Sequence, residues 1–324
     1  MKEAGLHIRT ASRLHFGLLG WGPQTTRQFG GLGLMIESPG IDLHVKPASS
    51  WQIAGALAPR IVQLVSHLEK TAHSVNIALR PARIEVDSAP PAHVGLGVGT
   101  QLSLAVARAL LLFAGVPAQS VAELARLTGR GRRSGIGLHG FEHGGFIVDG
   151  GSRNEHDIPP LLTRLAFPDT WSVLVVRPPE ESGLHGPDES RAFAKLPPIS
   201  RAVTDSLCRL VLLQVLPAIL EHDLTGFGAA IGEIQARVGD CFAPAQGGTY
   251  SSARASQIVH VLRDAGFVGV GQSSWGPTLY AFSALPEQEL ITPLERLRQR
   301  FGLDHESAFV TKASNRGASF VWHD

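Results

Sequence analysis

The 324-residue sequence has little cysteine, little net charge and no long uncharged apolar run, and each shortage removes a class of protein. The two cysteines, Cys208 and Cys241, lack metal-ligand spacing and sit among apolar or small residues, so buried thiols in a cytoplasmic enzyme are expected. A net charge of +1 with His neutral, its basic residues spread along the chain, argues against a nucleic-acid surface and for a small substrate. The opening MKEAGLHIRT has no apolar run of signal length, and no membrane-spanning window is free of charge, so no membrane partner is expected. Solenoid-period repeats and low-complexity tracts are also missing.

What is there is organised around Pro90 to Phe113, PPAHVGLGVGTQLSLAVARALLLF. Gly95, Gly97 and Gly99 free the backbone of side chains, and Thr100 is the expected N-cap of a helix. From Gln101 to Phe113 only Gln101, Ser103 and Arg108 are polar, which predicts a helix buried on nearly every face. Its N-terminus would offer unpaired amides and a positive dipole end to a phosphate; a tight turn before a core helix is the competing reading. The loop has no Lys before its hydroxyl residue, so it is not a Walker loop. Pro90-Pro91 and the glycine spacing also exclude a dinucleotide fingerprint.

Before this segment the text alternates like strands: Leu14, Phe16, Leu18, then Leu32, Leu34, Ile36, then Ile41, Leu43, Val45, with Ser38-Pro39-Gly40 as a hairpin turn. Gly20 to Gly33, with Trp21 and Arg27, reads as a lid or binding loop. A helix is predicted from about 59 to 72 and a strand near 84 to 86. After the buried helix, Ser120 and Glu123 make a capping box for a short helix that Gly129 ends. Gly129 to Gly151, GRGRRSGIGLHGFEHGGFIVDGG, then mixes glycines with Arg130, Arg132, Arg133, Ser134, His139, Glu142 and His143. It is either a flexible charged loop or a second anion-recognising element, since arginines grip phosphate oxygens bidentately.

The weakly periodic stretch 152 to 170 marks a boundary between two domains, 1–165 and 166–324. A strand at 171 to 176 leads to a Pro- and Gly-rich surface loop, Pro178 to Pro198, holding Glu180, Glu181, His185 and Asp188. Helices follow at about 200 to 221, interrupted near Pro217, at 223 to 238 and at 252 to 265. Strands at 267 to 271 and 279 to 282 flank the loop Gln272-Ser273-Ser274-Trp275-Gly276-Pro277. A helix at about 286 to 301 and a strand near 318 to 322 close the chain, and the two strands flanked by helices predict an α+β sandwich.

Three elements in this order resemble the GHMP kinase superfamily: a Pro-x-x-x-Gly-Leu-Gly loop opening a buried helix, Ser-Gly-Ile some forty residues on, and a glycine-containing loop between late strands. Such kinases usually place serines after the first loop and an acid after Ser-Gly-Ile. Here Val98, Gly99 and Gly137 stand instead. The departures resemble a narrower, non-kinase branch, the β-ribofuranosylaminobenzene 5′-phosphate synthase family, through GLGVGTQLSLAV, RSGIGLHGFEHGGFIVDGG and GQSSWGPTLYAF.

That resemblance implies a two-domain α+β GHMP-kinase-like fold, with an N-terminal ribosomal-protein-S5-like domain and a C-terminal ferredoxin-like sandwich. It also implies a pentosyltransferase joining 4-aminobenzoate or 4-hydroxybenzoate to 5-phosphoribosyl 1-diphosphate, with loss of CO₂ and diphosphate, in methanopterin-type cofactor synthesis. Mg²⁺ is expected, no organic cofactor, and a homodimer is possible. An ATP-dependent small-molecule kinase and a non-catalytic phosphate-ligand binder are the alternatives.

Loss of diphosphate demands fixed positive groups in a water-poor site. Gly95, Gly97, Gly99, Thr100, Gln101, Arg130, Arg132, Arg133, Ser134, Gln272, Ser273, Ser274 and Trp275 are the candidate phosphate and substrate contacts. Arg13, His15, His139 and Glu142 are the candidate catalytic residues, with Arg9 a further candidate for the substrate carboxylate. His15, alternating with Leu14 and Phe16, either serves there or faces solvent. Trp21, Phe141 and Trp275 are candidate walls of a slot for the aromatic ring. Glu37, Asp149 and Glu142 are candidate metal ligands.

Overall fold

The computed structural model describes residues 4–117, 119–154, 156–179 and 186–323. Two sheets carry the fold. The first contains β1 (Gly5–Gly20), β2 (Phe29–Pro47), β3 (Gln52–Gly55), β4 (Ala82–Ser88), β5 (Phe146–Asp149), β6 (Leu161–Leu165) and the last strand of the chain, β11 (Ser319–His323). Its order is β11-β1-β2-β4-β3, with β5 pairing β2 and β6. The second is antiparallel: β10 (Ala308–Thr311), β7 (Ser172–Val176), β9 (Leu279–Ser283) and β8 (Val268–Gln272).

β2 does not turn at Ser38-Pro39-Gly40 as the hairpin reading expected. Thr10 pairs with Ile41 and Ser12 with Ile36, so those residues form an irregularity inside one long strand, held by Ser12 Oγ donating to Pro39 O at 2.5 Å. The alternation on either side continues onto one inner face, because the inserted residues leave the pairing with β1 intact. The expected loop after Gly20 is short, since β2 begins at Phe29. Its Trp21 is a core residue donating Nε1–H to Pro197 O, and Arg27 donates to the carbonyls of Gly150 and Gly151.

Helix α1 (Ala58–His73) buries Ile61, Leu64, Val65 and Leu68 as their spacing predicts. Helix α2 (Val98–Phe113) has apolar residues on all sides and packs on β1 and β2, on α3 (Val121–Thr128) and on α4 (Ile136–His143). Each such Leu, fully buried, contributes roughly 1.5 to 3 kcal/mol, which explains why this helix holds its place without a side-chain cap. Its N-cap is Gly97 at φ 73°; Thr100 lies within the first turn, which corrects the expected start. The capping box of Ser120 and Glu123 is present, and Gly129 ends α3 at φ 65°. In the segment after it, Ile136 to His143 forms α4 where a glycine- and arginine-rich loop was expected, and the strand expected at 146 to 148 is present as β5 (Phe146–Asp149).

The Pro178 to Pro198 stretch contains a helix, α5 (Gly186–Lys195), where a surface loop was expected. Glu180, Glu181 and His185 lie outside the described residues, as does the side chain of Asp188. The helix from Arg201 to Leu220 has the length and apolar composition to cross a membrane, yet it carries Asp205 and Arg209 and packs Leu207, Leu210, Val215 and Ile219 into the core. It comprises α6 (Arg201–Leu210), a π-helical turn over 211–215 and α7 (Leu216–Leu220). The break expected at Pro217 is that wider turn just before the residue with no amide to donate. Helix α8 (Leu224–Gln246) covers the second sheet on the side facing β1. Helices α9 (Ala253–Asp264) and α10 (Glu287–Phe301) cover its other side. Contrary to the buried-thiol expectation, Cys208 is exposed on α6 and Cys241 is half-buried on α8.

Candidate active site

Three segments far apart in sequence are stitched together by hydrogen bonds. Arg13 N donates to Leu96 O at 2.9 Å, Ser273 Oγ donates to Gly95 O at 2.7 Å and accepts from His15 N at 3.0 Å. Thr278 donates to Val94 O through both its amide and its hydroxyl, and Ser274 N donates to His15 O at 3.3 Å. β1, the glycine loop and the loop from β8 to β9 thereby form one rigid junction.

On one side of the junction lies a cleft of about 300 Å³ over the glycine loop, lined by Gly95, Gly97, Gly99, Thr100, Arg13, Arg60 and Arg130. The amides of Val98 and Gly99 have no partner among the described residues, and Gly97 supplies no capping side chain. A Cβ on Gly97 would lie 3.1 Å from the Arg13 side chain, and one on Gly99 would strike the Arg60 guanidinium. Bare backbone is therefore what lets the arginines close over the helix N-terminus. No carboxylate is ion-paired with Arg13, Arg60 or Arg130 among the described residues.

Burial lowers the pKa of Arg13 to about 10, opposed by nearby Glu189, and burial also lowers Arg60 and Arg130, the latter with help from Arg60. The Arg13 Nε is buried without a hydrogen-bond partner. One buried and two partly buried guanidinium groups converge on these amides, an arrangement that favours an anion there. A second hollow of about 770 Å³ continues from this cleft past Arg60, His93 and Arg130 to Arg132 and His67.

On the other side of Arg13, Ser274 and Trp275 is a slot of about 170 Å³. That is close to the ~150 Å³ of an apolar cavity that takes one benzene ring. Phe193, Phe242 and Trp275 wall it, with ring centroids 4.6 Å apart for Phe242 and Trp275. Arg133 lies at its edge, ion-paired to Glu189 at 2.5 Å and over the Phe193 ring.

His15 lines the same slot and is buried, not solvent-facing, because helices cover one face of β1 and α8 the other. A bulge between His15 and Gly17 aims the ring: Gly17 N donates to His15 Nδ1 at 3.2 Å, so Nε2 carries the proton and donates to Ser134 Oγ at 3.1 Å. Ser134 in turn donates to Asp149 Oδ2 at 3.3 Å. Burial, aided by the charge of Arg13, holds the His15 pKa well below the ordinary imidazole value.

The structure brings together most of the sequence candidates but not all. Gly95, Gly97, Gly99, Thr100, Arg13, Arg130, Ser274 and Trp275 meet at the glycine-loop cleft. Arg132 lies in the adjoining hollow, and His15, Arg133, Ser134 and Gln272 line the slot. Ser273 is the junction's connector, and Gln101 is buried, donating to Gly137 O. His139 is turned away, bonded through Nε2 to Pro159 O, and Glu142 is ion-paired to Arg108 at 2.6 Å beside Phe141 and Phe320. Helix α4 explains both, since its first turn touches α2 while its later residues run away from the cleft. Phe141 is core, Trp21 only backs Phe193 and Phe242, and Arg9 pairs with Asp42.

Sequence reasoning missed Arg60, His93, Glu189, Phe193, Gln235 and Phe242. Only the His preceding the glycine loop carried a local signal.

The metal candidates do not fit a site in the cleft. Glu37 is exposed on β2, and Glu142 is occupied by Arg108. Asp149 is fully buried, accepting from Gly151 N at one oxygen and from Gly135 N and Ser134 at the other.

The family matches define the class. The GHMP kinases N terminal domain family matches residues 59–145, and the GHMP kinases C terminal family matches 215–296. Mevalonate diphosphate decarboxylase from Enterococcus faecalis shares this fold at a TM-score of 0.66 and 15% identity, over 99% of each chain. Among relatives, beta-ribofuranosylphenol 5′-phosphate synthase from Archaeoglobus fulgidus is 33% identical over 96% of this chain and 98% of its own. The enzyme of the same name from Methanothermobacter thermautotrophicus is 31% identical over 85% and 88%. The chain belongs to the β-ribofuranosylphenol 5′-phosphate synthase family of the GHMP superfamily.

Proposed function

We propose that this protein condenses 4-aminobenzoate or 4-hydroxybenzoate with 5-phosphoribosyl 1-diphosphate, releasing CO₂ and diphosphate in methanopterin-type cofactor synthesis. One observation carries the reading beyond the relatives' name: an arginine-lined glycine cleft and a ring-sized aromatic slot share Arg13, Glu189, Ser274 and Trp275 as their common wall. A ribosyl donor seated at that wall has its diphosphate on one side and the benzoate on the other.

The sugar C1–O bond breaks and its electron pair leaves with the diphosphate. Arg13, Arg60, Arg130 and the amides of Val98 and Gly99 stabilise the charge that develops there, fixed in place before the reaction begins. The ring carbon bearing the carboxylate gives a π pair to C1, forming the C–C bond. The bond to the carboxylate then breaks, its electrons restore the ring, and CO₂ departs. Phe193, Phe242 and Trp275 hold the ring flat and dry against C1. Arg13 and Arg133 position the carboxylate. Neutral His15, fixed through Ser134 and Asp149, keeps the slot floor polar without adding a competing charge.

Mg²⁺ belongs to the proposal as an ion carried in on the diphosphate, since such ions are commonly held by substrate phosphates and one or two carboxylates. Glu189 is the one described carboxylate that lines the cleft, and it would have to leave its ion pair with Arg133 to hold such an ion. The test is to incubate pure protein with 5-phosphoribosyl 1-diphosphate, Mg²⁺ and carboxyl-labelled benzoates and to count released CO₂. Acceptor-dependent formation of ADP from ATP without CO₂ release would replace this reading with a kinase.

A further inference from the structure

The outward face of the first sheet carries a second cluster of reactive side chains that the cleft does not use. The ladder places His7 directly opposite His44, and β11 brings His323 beside them. The His7 and His44 rings stack at 4.3 Å with planes 3° apart. Asp42, two residues before His44 and so on the same face, lies 2.5 Å from His7 Nε2 through Oδ1. One donor atom from each of His7, Asp42 and His44 lies within 4.8 Å of the others, and His44 Nδ1 is 3.2 Å from His323 Nε2.

The surrounding groups orient these donors. Asp87 Oδ2 sits 3.2 Å from His44 Nε2, which fixes the proton there and leaves the Nδ1 lone pair toward His323 Nε2. Arg9 occupies Asp42 Oδ2 at 2.8 Å and leaves Oδ1 inward. A carboxylate behind a histidine is the usual outer support of a metal-bound imidazole.

We propose that His7, Asp42 and His44, with His323 as fourth ligand, form a site for a first-row divalent cation of zinc's preferences. Metal–nitrogen and metal–oxygen bonds of about 2.0 to 2.2 Å put tetrahedral donors about 3.4 Å apart, near the 3.2 Å between His44 Nδ1 and His323 Nε2. On binding, the His7–Asp42 hydrogen bond opens and the His7 ring turns out of its stack on His44, so that the in-plane lone pairs meet the ion. Binding displaces the protons now shared between these donors to solvent. The ligands come from β1, β2 and β11, so the ion clips the last strand onto the sheet. That strand is an edge with Val321 and Trp322 exposed, held on one side only.

The test uses the full chain stripped by a chelator and titrated with Zn²⁺ by calorimetry and with Co²⁺ by visible absorption. The expected result is one ion per chain, an intense tetrahedral Co²⁺ spectrum, and slower amide exchange over 319–323 when Zn²⁺ is bound. His7→Ala and His44→Ala should abolish the binding, and Asp87→Ala should weaken it by about 10- to 100-fold. All three should leave CO₂ release unchanged, since the cluster is remote from the cleft. If His44→Ala does not fold, His44→Gln keeps the packing, removes the imidazole and is read in the same way. Binding that is undiminished in the folded His7 and His44 variants, or no binding up to millimolar Zn²⁺, would overturn the proposal.

Discussion

The Arg60 guanidinium occupies the space into which a Cβ on Gly99 would project, with Arg130 Nη1 3.5 Å from the same point. The glycine thus sets how closely two cations approach the amides of the α2 N-terminus. Arginine side chains and the unpartnered amides of α2 thus face the same cleft.

Gly99→Ala should therefore push Arg60 outward without unfolding α2, because only the end of a flexible side chain must move. Diphosphate binding measured by calorimetry should weaken about tenfold or more, while the thermal midpoint shifts little. Arg60→Ala should cost about 2 to 5 kcal/mol in binding or transition-state energy, the range for a desolvated charge losing its partner. Unchanged diphosphate affinity in both variants would remove the cleft from the mechanism.

Trp275→Ala should open the slot and raise KM for the benzoate more than for the phosphoribosyl donor. Truncating a buried aromatic removes roughly 3 to 5 kcal/mol of packing, so Phe242→Leu is the gentler companion, expected to change benzoate KM with stability nearly kept. Equal effects on both substrates would show that the slot does not hold the ring.

Glu142→Gln should leave kcat within about twofold of the parent while lowering stability by about 1 kcal/mol. Its partner Arg108 is stacked beside Phe141 and Phe320, away from both chambers. A large loss of kcat with intact folding would return Glu142 to the catalytic set.

Burial raises the Asp149 carboxyl from 3.8 to about 6, against hydrogen bonds from Gly151, Gly135, Ser134 and Ile136 that lower it. The folded state holds this proton more tightly than the unfolded chain. Its contribution to stability is therefore complete below about pH 4 and lost as pH rises through about 6. His15 acts oppositely: its depressed pKa contributes stability above about 6.5 that is lost as pH falls. Asp149→Asn isolates the first effect. Relative to the parent, its unfolding free energy should rise by on the order of 2 to 3 kcal/mol between pH 4 and 7, and a flat difference across that range would contradict it.

The sequence by itself determined the elements whose cause is local. The largely apolar run after Gly99 had to be a buried helix, Ser120 and Glu123 had to cap one, and the alternation of Leu14 to Val45 had to make a sheet face. The departures at Val98, Gly99 and Gly137 were also legible, since a missing hydroxyl or acid is visible without coordinates. Long-range packing decided the rest.

Whether His15 met solvent or a slot depended on α8, more than two hundred residues later, covering the second face of its strand. Arg60 and Phe193 joined the site only because their helices dock beside the glycine loop and the β8–β9 loop. Nothing in their own neighbourhoods distinguishes them from a surface charge and a core ring. His139 and Glu142 left it because α4 turns successive residues about 100° apart around its axis, so only one end and one side of the Ser-Gly-Ile segment can face the anion. Residue type and spacing fix what a segment can do, but which neighbours it does it with is set by burial across elements that sequence order does not place side by side.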